Sequence, residues 1–328
     1  MNFKNLDEPD QLLNSAFARG RKKASQYAKQ QTPFYTMKGK EIAKIDASAE
    51  YLMDTLNSRV VDFPSLDKLP EFYQDLISFI LDMNQMKKSL AKFSGVSRII
   101  KDLRRTKIVA LKELRFEKGS IPTGKKISNE YFGRVSSAVK DLKKDIKIYN
   151  TGIKAMKELP AIKTDEEVYI LAGLPNTGKS TLLGKITASK PRVASFPFTT
   201  QGLNVGKFFR NYLPVQVIDT PGLLDRDLSK RNKIELKAIS AFQHLNGTIL
   251  FVVDPTHSLN EQKHLFSEIK KLFSDKGFMI IINKTDIATE DEIKNAQREF
   301  KDQYIILEGV GLENLKKEIC GPTEKEVE

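Results

Sequence analysis

One stretch constrains the fold of this chain more than any other: the apolar run Val168 to Ala172, followed at once by Gly173-Leu174-Pro175-Asn176-Thr177-Gly178-Lys179-Ser180 and then by helical spacing over 179–188. A buried strand that turns through glycines into a helix N-terminus gathers backbone N–H groups and the positive end of a helix at one point, a combination suited to a phosphate. In the pattern G-x-x-x-x-G-K-S, Lys179 is placed to reach β- and γ-phosphates and the Ser180 hydroxyl to ligate Mg²⁺. Pro175, Asn176, Thr177 and Thr181 complete the candidate loop.

Two later segments decide the base and the reporting element. The β-branched run Val215 to Ile218 ends in Asp219-Thr220-Pro221-Gly222. An aspartate at a strand end can hold Mg²⁺ through water, and the Gly222 N–H can report whether a γ-phosphate is present. The second run, Phe278 to Ile282, delivers Asn283-Lys284-Thr285-Asp286. A carboxylate at Asp286 accepts two hydrogen bonds, which matches guanine N1–H and N2–H₂ and leaves adenine without matching donors; the wrong base strands a polar group. GTP is therefore favoured over ATP. Between the loop and Asp219 lies Phe196-Pro197-Phe198-Thr199-Thr200, expected to be a first switch in which one threonine completes the Mg²⁺ shell.

The net charge of +12 becomes informative once it is divided. Residues 1–165 hold 32 Lys and Arg against 20 Asp and Glu, while 166–328 hold 22 of each, so the whole excess lies ahead of the phosphate loop. Such polarity suggests that the amino-terminal half meets a polyanion, most simply nucleic acid, although a solvated basic surface would look the same. A single cysteine, Cys320, excludes an internal disulfide and points to a reducing compartment. No apolar run approaches the ~20 residues of a membrane span, and MNFKNLDEPD lacks a signal-peptide pattern, so a cytoplasmic protein without membrane contact is expected.

From Val168 onward, strand patterns near 168–172, 203–209, 215–219, 248–254, 278–283 and 304–307 alternate with helical ones near 179–188, 232–245, 261–274, 290–301 and 312–319. That alternation implies an α/β domain with a mostly parallel sheet and helices on both faces, its phosphate and base contacts at the carboxyl ends of the strands. The first 160 residues lack strand alternation and read as an all-α helical bundle. Within it, Val135, Val139, Leu142, Ile146, Tyr149, Ile153 and Met156 form a heptad seam on a single predicted helix over Ser128–Leu159. A partner runs over Gly95–Glu117, and Lys118-Gly119-Ser120-Ile121-Pro122-Thr123-Gly124-Lys125-Lys126 is expected to be a basic hairpin tip. Further basic clusters stand at Arg19-Gly20-Arg21-Lys22-Lys23 and Arg104-Arg105-Thr106-Lys107, with Phe17, Tyr27, Phe34 and Tyr35 near the first as base-stacking or core residues. The expected division is a basic helical domain over 1–160, a linker over 161–166 after Pro160 ends the long helix, and a nucleotide domain over 167–328.

The run Val217-Ile218-Asp219-Thr220-Pro221-Gly222-Leu223-Leu224-Asp225, then Arg231-Asn232-Lys233-Ile234-Glu235 and Ala238-Ile239-Ser240-Ala241-Phe242-Gln243-His244-Leu245, resembles the Nog branch of Obg-like P-loop GTPases. Asp62-Phe63-Pro64-Ser65-Leu66-Asp67 and Pro70-Glu71-Phe72-Tyr73-Gln74-Asp75-Leu76 resemble that family's amino-terminal helical domain, so the likeness covers nearly the whole chain. The resemblance implies a GTPase acting in assembly of the large ribosomal subunit while bound to ribosomal RNA. It also implies Thr200, by its spacing from Ser180, as the Mg²⁺ ligand of the switch. The chain stops after the nucleotide domain, like a minimal archaeal member. The family's Ser-Ala-Lys guanine loop is not visible around Glu308-Gly309-Val310-Gly311-Leu312.

Leu223 stands where Ras-like GTPases carry the glutamine that orients attacking water, so slow intrinsic hydrolysis is expected. In related GTPases with a Gly-x-Pro-Asn-x-Gly-Lys-Ser loop the asparagine helps bind K⁺; Asn176 either does this or merely shapes the loop. His244, in an expected packed helix, and His257, in a loop, are poor base candidates. Two functions remain: a GTP/GDP switch on a large-subunit precursor, expected as a monomer, or a GTPase serving a soluble protein or RNA-modifying complex, with the helical half as a dimerisation module. Asp286→Asn replaces one carboxylate acceptor with a donor, so nucleotide preference should shift from guanine toward xanthine. Competition of XTP against GTP for the variant checks this, and an unchanged guanine preference would remove Asp286 from base recognition.

Overall fold

The computed structural model describes residues 4–187, 191–194, 196, 202–210, 212–228, 231–300, 304–306, 315 and 319. The chain divides into two compact units, one formed by residues 1–66 and 81–157, the other by 67–80 and 158–328.

The first unit is all helical: α1 (Pro9–Ser25), α2 (Pro33–Val61), α4 (Met83–Glu113), α5 (Ser120–Lys140) and α6 (Lys143–Lys157), with α3 (Glu71–Ile80) belonging to the other unit. Local chemistry sets the starts. Thr32 accepts the Tyr35 N–H ahead of Pro33 at the first helical position of α2, and Asp82 accepts the N–H groups of Asn84 and Gln85 at α4. The seam is buried throughout: Val135, Val139, Leu142, Ile146, Tyr149 and Ile153 are each 1% exposed or less and pack with Phe93, Ile100 and Leu111 of α4. A buried polar tie supplements it, since Asp145 of α6 accepts from Ser89 Oγ at 2.9 Å and Lys92 Nζ at 2.8 Å, both on α4.

Three details differ from the sequence expectation. The single helix over Ser128–Leu159 is two helices, because the Leu142 N–H turns to Val139 O instead of continuing the i−4 ladder; the seam nevertheless passes through the break. The expected tip over Lys118–Lys126 is mostly helix. Gly119 ends the turn, and Pro122 sits in the first turn of α5, where its missing N–H costs no helical bond. Third, 67–80 groups with the nucleotide unit rather than the helical one, because Phe72 and Leu76 of α3 are fully buried in that unit's core, where Phe72 lies 5.9 Å from Phe242.

The second unit holds a seven-stranded sheet of β1 (Glu167–Ala172), β2 (Arg192–Ala194), β3 (Leu203–Arg210), β4 (Leu213–Asp219), β5 (Gly247–Val253), β6 (Gly277–Ile282) and β7 (Tyr304–Ile306), in the order β2-β3-β4-β1-β5-β6-β7. β4 pairs in parallel with β1, as do β1 with β5, β5 with β6, and β6 with β7, while β2–β3 and β3–β4 are antiparallel. The side-chain period of two divides β1 between layers. Val168, Ile170 and Ala172 join a core with residues of α3, α8 (Lys233–Ser240), α9 (Leu259–Leu272) and α10 (Glu290–Glu299). Tyr169 and Leu171 join another with α7 (Lys179–Ile186) and with Leu315 and Ile319. The expected helix over 232–245 is α8 followed by a 3-10 turn over Ala241–His244. No helix among the described residues is long and apolar enough to cross a membrane.

Candidate functional site

The loop from β1 into α7 is bent by backbone conformations that few residues adopt. Gly173 has φ +136° and Gly178 φ +95°. A Cβ on Gly173 would stand 2.4 Å from Val252 O, and one on Gly178 2.3 Å from Asn283 Nδ2, so neither place admits a side chain. Asn176, at φ +64°, is exposed and takes a left-handed conformation that asparagine tolerates better than most residues. This conformation suits the loop-shaping reading of Asn176.

Ties from three strands hold the loop. Thr177 Oγ1 donates to Leu174 O at 3.0 Å. Asn283 Nδ2 donates to Thr177 O at 2.8 Å, while its own N–H donates to Val253 O at 2.9 Å, so the residue after β6 braces the phosphate loop. The Gly173 N–H donates to Leu224 O at 3.0 Å, joining the loop to the segment after β4. Lys179 is 6% exposed and its ammonium donates to Gly173 O and Leu174 O, both at 2.7 Å. Burial holds its pKa below the ordinary lysine value, against the opposing charges of Asp225 and then Asp219.

β4 ends on Asp219, which is fully buried. Ser180 Oγ donates to Asp219 Oδ2 at 2.5 Å and Asn204 Nδ2 to the same oxygen at 3.1 Å, whereas Oδ1 has no hydrogen-bond partner. An orphaned buried carboxylate oxygen is costly unless something cationic or hydrated uses it. The Ser180 hydroxyl and Asp219 together fit a Mg²⁺ held directly by the first and through water by the second. Thr200 and Thr199 lie outside the described residues, as do Cys320 and 307–312 of the guanine-loop region. Phe196, just ahead of the threonines, is buried and stacks on Phe242 with centroids 5.2 Å apart.

Sequence reasoning did not find the arrangement after Gly222. The Gly222 N–H donates to Asp225 Oδ2 at 2.7 Å. Arg231, 7% exposed, donates through Nη1 to Gly222 O at 2.5 Å and through Nη2 to Leu223 O at 2.6 Å and Asp225 Oδ1 at 3.4 Å. The available signal was the spacing of Asp225 and Arg231, two among several charged residues after Gly222, which has no meaning until the backbone is closed. Leu223 is 1% exposed and belongs to the apolar core.

At the base end, Lys284 has φ +56° and its ammonium lies 2.8 Å from Asp254 Oδ2 at the end of β5. Asp254 Oδ1 accepts from the Thr256 N–H at 3.0 Å and its hydroxyl at 2.7 Å. Asp286 is exposed. His244 is not packed away: it stands between Glu71 at 2.9 Å and Asp75 at 3.0 Å, both on α3, while His257 lies 3.2 Å from Asp254. Pro175 and Thr181 line the loop's exposed side.

Residues 3–163 match the NOG1 N-terminal helical domain family, and residues 168–284 match the family described as 50S ribosome-binding GTPase. An uncharacterized protein of Methanocaldococcus jannaschii is 34% identical over 292 residues, 87% of this chain and 80% of that one. Nucleolar GTP-binding protein 1 of Drosophila melanogaster is 32% identical, covering 81% of this chain and 42% of its own, and the Saccharomyces cerevisiae protein of that name is 30% identical, covering 81% and 41%. The chain thus spans about two fifths of the length of these two eukaryotic relatives.

Burial alone would raise the Asp254 pKa, but hydrogen bonds from Lys284 and Thr256 outweigh it and hold the carboxyl below its ordinary value. A depressed folded-state pKa stabilises above the unfolded value and is lost as pH falls through the folded one. Asp254→Asn should therefore lower the unfolding free energy at neutral pH by ~1–3 kcal/mol, and the gap from wild type should close below about pH 4. Urea unfolding across pH checks this; a gap that persists undiminished to strong acid would contradict it.

Proposed function

The chain belongs to the Nog family of P-loop GTPases, and we propose that it works as a slow GTP-driven switch on the large ribosomal subunit, bound to ribosomal RNA through its helical unit. The observation that carries the switch is the hydrogen-bonded continuity from Gly173 through Leu224 to Gly222 and Arg231, because a group that senses the γ-phosphate is there tied to a segment that can rearrange.

In the proposed reaction, water attacks the γ-phosphorus, the bond to the β,γ-bridging oxygen breaks, and GDP and phosphate leave. Lys179 leaves the carbonyls of Gly173 and Leu174 for the β- and γ-phosphate oxygens, and the N–H groups opening α7 face the phosphates. Ser180, Asp219 and Thr200 would hold Mg²⁺, which when bound neutralises charge on the phosphate oxygens. Asp286 takes guanine N1–H and N2–H₂, with Asn283 bracing the loop and Lys284 held by Asp254. Leu223 offers no atom that orients water, so turnover is slow until a further group supplies positioning. A K⁺ at Asn176 is one such source, and turnover should then be higher in K⁺ than in Na⁺; equal rates leave Asn176 with loop shape alone.

For RNA, the helical unit offers a stripe on α4 besides the part of the expected clusters that stays exposed, Arg21, Lys22, Lys23 and Arg105. Arg104 pairs with Asp46 and Lys107 with Glu130 at 2.7 Å, and Arg19 lies over the Tyr51 ring at 4.4 Å, so these are occupied within the unit. Phe34 is buried and Phe17 packs edge-on against Phe132 at 4.8 Å, which makes both core residues. Arg98, Lys101, Arg105 and Lys112 are exposed along one side of α4 without a carboxylate partner among the described residues, and they suit a phosphate backbone.

Replacing Arg98, Lys101 and Arg105 by Gln should weaken RNA binding and flatten its salt dependence by about 0.7–0.9 per lost phosphate contact. Sedimentation tests the whole reading: co-migration with a large-subunit precursor that differs between GDP and a non-hydrolysable GTP analogue supports it. Absence of RNA or subunit binding at moderate salt, with a dimer in its place, would favour a GTPase for a soluble complex.

A further inference from the structure

One protein group that a γ-phosphate would recruit, the Gly222 N–H, is already held by a carboxylate. Asp225 Oδ2 accepts the Gly222 N–H at 2.7 Å, the amide placed to report that phosphate. Residue 224 is drawn to the phosphate loop by the Gly173 N–H to Leu224 O bond at 3.0 Å, which sets Asp225 at the loop's mouth. Consistent with that position, Asp225 is the foremost charge opposing the burial of the Lys179 ammonium, ahead of Asp219. Its other oxygen faces Arg231 Nη2 at 3.4 Å, and Arg231 clamps the carbonyls of Gly222 and Leu223. A turn alone would explain the Gly222 bond. It would not require a buried arginine on the far side of the carboxylate.

We propose that Asp225 is an internal stand-in for the γ-phosphate and thereby sets the discrimination between GTP and GDP. The proposal rests on the guanine-nucleotide reading of the loop. Two anions cannot share the Gly222 N–H, so a γ-phosphate must displace the Asp225 carboxylate, whereas GDP leaves it in place. GTP binding therefore carries a cost that GDP binding does not, and the displaced residue lies in the segment that continues to Asp227 and to Leu228, whose N–H is held by Glu268 at 2.7 Å. The γ-phosphate signal leaves the site by this route: Asp225 moves out while Arg231 keeps the Gly222 and Leu223 carbonyls.

The test uses the full chain and fluorescent GDP and a fluorescent non-hydrolysable GTP analogue. For Asp225→Ala, the ratio of the analogue's Kd to that of GDP should fall by about tenfold relative to wild type, the scale of one charge-assisted hydrogen bond. Asp225→Asn keeps the shape and an acceptor for Gly222 but loses the charge, so its ratio should fall by less; it carries the test if the alanine variant does not fold. Melting curves with GDP establish that each variant is folded. An unchanged ratio in a folded variant, or a ratio that rises, overturns the proposal while leaving the guanine reading intact. Failure of wild type to bind either nucleotide would overturn both.

Discussion

Parallel pairing of β1 with β4 is the constraint on which the rest of the nucleotide unit depends. Its register sets Leu171 opposite Asp219. Because β1 runs into the phosphate loop, that pairing brings Asp219 within 2.5 Å of the Ser180 hydroxyl and lets Thr220 Oγ1 reach Leu171 O at 2.9 Å. A slip of one residue would turn every buried side chain of β1 to the wrong layer and separate serine from aspartate. The hydrophobic layers on both faces of the sheet therefore fix the chemistry at the carboxyl ends of its strands, and core residues such as Leu223 and Leu224 lend the site their backbone carbonyls.

Much of this architecture is legible in the sequence, for a physical reason. Strands buried on both faces read as continuous apolar runs, and each run ends in the polar residues that the fold gathers. Strand β2 escaped notice because three residues on a sheet edge, with Val193 exposed, carry no hydrophobic period. The heptad seam was legible, but the break after Lys140 was not: one i−3 hydrogen bond at Leu142 interrupts the ladder without disturbing the spacing of the seam. Pro122 and Gly124 read as turn formers, yet Pro122 occupies the helix's first turn and Gly124 faces Met37 across the bundle, so tertiary packing overrode local propensity. Segment 67–80 was placed in the helical half by the absence of strand alternation and by its resemblance to the family's helical domain, neither of which says which core Phe72 enters.

The site divides along the same line. Motif residues such as Lys179, Ser180 and Asp286 stand out because spacing alone suggests their chemistry. Asp225 and Arg231 do not, because their relation exists only after Gly222 and Leu223 have turned their carbonyls toward one guanidinium. The helical unit repeats the lesson. Charge counts point to a polyanion, but Arg104 and Lys107, prominent in the sequence, are already paired, while Arg98, Lys101, Arg105 and Lys112 keep their charge available along α4.

The central claim is that the γ-phosphate is read by the segment from Asp219 to Arg231. Hydrogen–deuterium exchange on the full chain, with GDP and with a non-hydrolysable GTP analogue at saturation, tests it most directly. The account predicts that the largest difference between the two forms falls in peptides spanning 219–231. Equal exchange there, with differences elsewhere or nowhere, would contradict it.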